Sequence, residues 1–196
     1  MQHSYQSIKR AEGFWIRDIL LIFFVMGIIF IAGLGRAPLI DPDEGRYAEI
    51  PREMMQSGDF ITPTLNYVKY FEKPPMLYWV NSASMYVFGK TEFAARLPSA
   101  LSGLFITVLA YLAGRKFFSR RTGLISSLIL GTSAGFVMQS RIILTDMLLT
   151  LFLSSALFAF MMAVRRSTPS TKLWFRVFFA SSALALLTKG LIGLLI

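Results

Sequence analysis

The side chains that could do chemistry fall into four places: Asp43-Glu44, Glu72-Lys73, Asp146 and Lys189. A carboxylate can take a proton from an attacking hydroxyl, and a fixed ammonium can hold an anion such as a phosphate. Asp43 and Glu44 follow Pro42, which disfavours helix before it and lets one begin there, so both carboxylates belong to a helix's first turn. Carboxylates are favoured at that position by the helix dipole. That structural role explains their presence but not their pairing with a second charged cluster at Glu72-Lys73. Pro74-Pro75 cannot continue a preceding helix and presents Glu72 and Lys73 on a rigid turn. A cationic Lys73 beside an aromatic interfacial helix suits an anionic lipid headgroup; the alternative is an ordinary aromatic belt with a solvated Glu-Lys pair. Asp146 and Lys189 lie at the ends of apolar runs. An ionisable residue at membrane depth costs about 2.5–3.5 kcal/mol on insertion scales and marks a functional site by default, the alternative being a side chain that snorkels to the interface.

The elements that position these residues are membrane elements. The chain has 196 residues, 55% hydrophobic and 16% charged, with no cysteine and a single histidine, His3. A soluble domain is about 25% charged. The composition excludes a disordered chain, a disulfide-stapled domain and a cysteine-ligated zinc protein. With His3 alone near the terminus, no usual Ser-His-Asp or Cys-His site can be built. The net charge of +9 does not mark a nucleic-acid partner, because the basic residues punctuate long apolar runs.

A membrane helix needs about 20 mostly apolar residues. The runs predict spans over about 19–35, 97–114, 122–138, 142–164 and 173–188, with the start of a sixth at 190–196. Lys9, Arg10 and Arg17, the loop Arg115, Lys116, Arg120 and Arg121, and the loop Arg165, Arg166, Lys172 and Arg176 hold 11 of the 20 basic residues. The positive-inside rule puts these three segments, and the N-terminus, in the cytoplasm. The segment 36–96 then faces outward, and it carries 8 of the 11 acidic residues. Within it, Tyr47, Ile50, Met54 and Met55 recur at helical spacing and predict an amphipathic surface helix ending near Gly58. Met76 to Phe88 reads as a second, aromatic-rich interfacial helix, with Tyr78 and Trp79 at headgroup depth.

Taken together and in order, Asp-Glu-Gly-Arg-Tyr-Ala-Glu at 43–49, Phe-Glu-Lys-Pro-Pro at 71–75 with Tyr78-Trp79, Arg141 with Asp146, and Leu-Thr-Lys-Gly at 187–190 carry a resemblance. From about residue 15 to its end the chain resembles the N-terminal part of a GT-C class polyprenyl-phosphate-sugar-dependent glycosyltransferase, of the aminoarabinose transferase-like and protein mannosyltransferase-like family. The resemblance implies an all-α polytopic integral membrane protein of the inner (plasma) membrane, with a long outer loop of interfacial helices after the first span. Family members are longer, and this chain stops inside an apolar run, so the sequence reads as a piece lacking the C-terminal remainder.

The implied activity is an inverting sugar transfer from an undecaprenyl- or dolichyl-phosphate donor to lipid A, another envelope glycan or a protein hydroxyl. The resemblance assigns Asp43 as general base and Asp146 as the second acidic position. It assigns Lys73, and with it Lys189, to the lipid phosphate, and Glu44, Arg46, Tyr47, Glu72, Tyr78 and Arg141 to substrate binding. No cofactor is required. Asp43, Glu72 and Asp146 could offer oxygen ligands to a divalent ion, and their spacing does not demand one. Two other classes remain: a transporter half, and a structural membrane protein without catalysis. A transporter is expected to show repeated halves or midplane charges, whereas here the charges gather in one loop.

Overall fold

The computed structural model describes residues 14–165 and 170–191. Lys9, Arg10 and Arg166 of the basic segments, and most of the expected sixth span (192–196), lie outside them. Helix α1 runs over Trp15–Ile31, α4 over Glu92–Phe117, α7 over Thr145–Val164 and α8 over Thr171–Lys189. Of these, α4 and α7 are long and apolar enough to cross a membrane. The expected span at 122–138 is two helices, α5 (Arg120–Thr132) and α6 (Ala134–Ser140), bent by 68° at Ser133. The bend has a local cause. The Thr132 hydroxyl donates to the Leu128 carbonyl at 2.6 Å and the Ser133 hydroxyl to Leu130 at 2.9 Å, so two consecutive side chains compete with the helical ladder.

Helices α1 and α4 begin earlier than their apolar runs, at Trp15 and Glu92. Each takes in a charge that a partner far along the chain neutralises. Asp18, 3% exposed, accepts from Arg120 at 2.6 and 2.7 Å and from the Tyr111 hydroxyl at 2.8 Å. In α4 the charge is Arg96, and its partner is Glu44. Helix α4 runs through the middle of the bundle, packed against α1, α5 and α7. It meets α5 backbone to backbone: a Cβ on Gly114 would lie 2.6 Å from the Gly123 Cα, so only glycine allows the crossing. Met26 and Phe30 of α1, with Leu104 and Val108 of α4, form the core of this half.

The long first loop folds over a second core of Ile50, Met54, Leu77, Met85 and Ile143. Its helix α2 spans Asp43–Ser57, with Pro42 before it and Gly58 (φ 75°) closing it in the left-handed conformation. Next comes a hairpin, β1 (Thr64–Leu65) with β2 (Val68–Lys69), turning through Asn66 and Tyr67 at φ 54° and 62°. Helix α3 covers Met76–Phe88, as expected from the prolines before it and its aromatic-rich run. The hairpin has no counterpart in the sequence reading.

Candidate active site

On helix α2 adjacent side chains point about 100° apart, which separates the first two carboxylates. Asp43 is exposed, while Glu44 is 3% exposed. Arg96 donates to both Glu44 oxygens, Nε at 2.9 Å and Nη2 at 2.6 Å, and the Ile40 and Ile143 N–H groups each donate at 2.9 Å. Burial pushes the Glu44 carboxyl up, but these donors outweigh it and hold it below the ordinary value. Of the residues expected to bind substrate, Glu44 is thus placed inside the protein, with both its oxygens held by protein donors. Arg141 is half-buried beside the end of α1. Its guanidinium donates to the carbonyls of Ile29, Phe30 and Ala32 at 2.8, 3.3 and 2.9 Å, capping the C-terminal end of α1.

The remaining residues of the two loop motifs come together. Arg46 Nη1 donates to the Tyr70 hydroxyl at 3.1 Å and lies 3.5 Å from Glu72 Oε2, and the Tyr70 hydroxyl donates to that same carboxylate oxygen. Lys73 Nζ stands 3.7 Å from Glu72 Oε1. The Tyr70 hydrogen bond holds the Glu72 carboxyl low against the opposing effect of burial, with Lys73 and Arg46 adding to it. The charge of Asp43 reaches Arg46 and Tyr47. The Tyr47 and Tyr78 rings sit 6.4 Å apart, and burial pushes both phenols up. Tyr78 is fully buried, and its hydroxyl has no hydrogen-bond partner among the described residues.

Beside this cluster opens a cleft of about 450 Å³, lined by Ile61, Phe71, Glu72, Lys73, Pro74 and Lys189. Lys73 and Lys189 are thus brought to one cavity from positions 116 residues apart in sequence. Lys189 Nζ also pairs with Asp146 Oδ1, which ties the second acidic position to the same rim. Among the described residues no three metal-capable side chains converge on one point. Tyr70 and Arg96 are the participants that sequence reasoning left out. Tyr70 had a weak signal, standing two residues before Glu72; Arg96 had none, being a single charge at the edge of an apolar run.

Apolar helices bearing one charged loop, with two lysines on a shared cleft, describe a polytopic integral membrane protein, and its likeness to a solved structure makes it one of the GT-C type. The model of the dolichyl-phosphate-mannose-protein mannosyltransferase family matches residues 15–196, and the chain belongs to that family. It is 36% identical over 182 residues to an undecaprenyl phosphate-α-4-amino-4-deoxy-L-arabinose arabinosyl transferase of Shewanella sediminis, covering 90% of this chain and 32% of that protein. It is 36% identical over 180 residues to an uncharacterised protein of Aquifex aeolicus, covering 92% of this chain and 41% of the relative. Among solved structures it is similar to ArnT from Cupriavidus metallidurans. In the apo state the TM-score is 0.85 at 34% identity, over 94% of this chain and 34% of that one. Bound to undecaprenyl phosphate it is 0.85 at 35%, over 90% and 33%. The chain therefore spans between about a third and two fifths of the length of these relatives.

Proposed function

We propose that the protein transfers a sugar from a polyprenyl-phosphate donor to an acceptor hydroxyl on the outer face of the inner membrane. The observation that carries this reading is the cleft shared by Lys73 and Lys189, two ammonium groups beside Glu72 and its partner Arg46, in a chain similar to a protein solved with undecaprenyl phosphate. In the proposed step the acceptor oxygen attacks the anomeric carbon from the side opposite the phosphate. The new C–O bond forms as the sugar–phosphate bond breaks, inverting the centre. The hydroxyl proton passes to the Asp43 carboxylate. The lipid phosphate leaves as an anion, stabilised by the two lysines, so no general acid is needed. Lipid acceptors fit the arabinosyl transferase relatives and protein hydroxyls fit the family's name; the 36% identity to one of the former favours a lipid.

The same reading sets α1, α4, the bent pair α5–α6, α7 and α8 as five spans, with the N-terminus cytoplasmic and residues 32–91 outside. The basic loops between α4 and α5 and between α7 and α8 support that orientation. The test is transfer of label from a radiolabelled polyprenyl-phosphate sugar by membranes holding the full-length protein. Label appearing in an envelope lipid or protein is the expected result. No transfer from correctly inserted protein, with any polyprenyl-phosphate sugar offered, overturns the reading.

A further inference from the structure

Two prolines interrupt helices that frame the site: Pro51 inside α2 and Pro98 inside α4. Proline has no N–H, so the carbonyl four residues earlier loses its helical partner. Those carbonyls are Tyr47 and Ala94. Both are met by side chains of one helix, α3. Asn81 Nδ2 donates to the Tyr47 carbonyl at 3.5 Å, and the Ser84 hydroxyl donates to the Ala94 carbonyl at 2.6 Å. Between them, Ser82 donates to the carbonyl of Pro51 itself at 3.4 Å. Asn81 is fully buried and Ser82 is 4% exposed, so no solvent is at hand to take over their two bonds, while Ser84 is half-buried.

We infer that Asn81 and Ser84 are positioning residues: α3 supplies from outside the two donors that Pro51 and Pro98 lack. The first donor fixes the turn of α2 that carries Asp43, Arg46 and Tyr47. The second fixes the start of α4, where Arg96 holds Glu44. In both helices the interrupted turn adjoins charged groups, Arg46 in α2 and Arg96 in α4, and the helix that repairs it also contributes Tyr78 to the cluster. The inference deepens the proposed function and, for its effect on transfer, rests on it.

The experiment is a double-mutant cycle in the full-length protein: wild type, Asn81→Leu, Pro51→Ala and the two combined. Pro51→Ala restores an N–H to the Tyr47 carbonyl, so it removes the need for Asn81. Asn81→Leu alone is expected to lower kcat about tenfold, as an orphaned buried carbonyl and a displaced base imply, with the donor KM moved less. Pro51→Ala alone stays close to wild type, and the combined variant recovers to the level of Pro51→Ala. The parallel cycle of Ser84→Ala with Pro98→Ala shows the same pattern. A loss from Asn81→Leu that is equal in both backgrounds overturns the inference, because packing alone would produce it. If Asn81→Leu does not accumulate in membranes, recovery of its level by Pro51→Ala supports the inference and failure to recover overturns it. Wild type without transfer defeats the proposed function, and the cycle is then decided on the thermal unfolding midpoints of the four purified proteins.

Discussion

Arg96 and Glu44, 52 residues apart in sequence, meet as a bidentate pair with both side chains 4% exposed. Arg96 spends its other donors on the carbonyls of Leu34, Ala37 and Pro38, where the chain leaves α1. Glu44 spends its remaining acceptor capacity on Ile40 and Ile143. One ion pair therefore ties together the exit of α1, the start of α2, the start of α4 and the segment before α7. The two carboxylates assigned to chemistry flank its anchors: Asp43 precedes Glu44, and Asp146 stands three residues after Ile143.

A buried pair adds little net stability, but removing one member strands the other at a cost of about 3–5 kcal/mol. Arg96→Leu and Glu44→Ala are each expected to lower the thermal midpoint strongly, and the double variant to lose less than the sum. The pair also sets an acid limit. Glu44 has its carboxyl pKa depressed in the folded state, so its stabilisation is present above the ordinary value and lost as pH falls through the depressed one. The midpoint should decline below about pH 4 in wild type. Glu44→Gln should show a flatter decline, and an identical acid slope in the two proteins would contradict the assignment.

Asp43→Asn is expected to abolish transfer by about 100-fold or more, the contribution of a positioned base, without altering insertion or the unfolding midpoint. The carboxylate is exposed, so its loss leaves no buried group behind. Measured rates per inserted molecule decide this, and retained activity would remove Asp43 from the role of base.

Lys73→Ala and Lys189→Ala should each raise the donor KM about tenfold, since a charge-assisted contact to a phosphate is lost. They should differ in kcat. Lys189→Ala also releases Asp146 from its ion pair and is expected to lower kcat further, whereas Lys73→Ala leaves that pair intact. Initial rates against donor concentration, with the free polyprenyl phosphate as competitor, separate the two effects. A donor KM unchanged in both variants would place the phosphate elsewhere.

What the sequence made legible was governed by local chemistry. Pro42 and Gly58 bound α2, and Pro75 precedes α3, because prolines and a left-handed glycine act within a few residues. What it hid was governed by distance. Asp18 and Arg96 read as the edges of apolar runs, yet both lie inside helices, each neutralised by a partner far along the chain. The partners of Glu44 and Arg141 were hidden for the same reason: the donors and acceptors that meet them come from α4, the segment before α7 and the end of α1. The hairpin at 64–69 escaped because two-residue strands leave no periodicity.

Tyr70 tests whether the Arg46–Glu72 arrangement matters as a unit. Its hydroxyl accepts from Arg46 and donates to Glu72, and that bond is the main reason the Glu72 carboxyl titrates low. Tyr70→Phe keeps the ring over which Arg46 sits, 5.9 Å from its centroid, and removes only the hydroxyl. The Glu72 pKa should then rise toward its ordinary value. If ionised Glu72 orients Arg46 and Lys73 for the donor, the acid limb of kcat/KM moves to higher pH, while the alkaline limb stays in place. The unfolding midpoint should barely change, because Glu72 is exposed. A variant with lowered kcat/KM at every pH and an unmoved acid limb would instead assign the hydroxyl to holding Arg46 alone, since a lost contact to an always-charged guanidinium scales the rate without shifting its pH dependence.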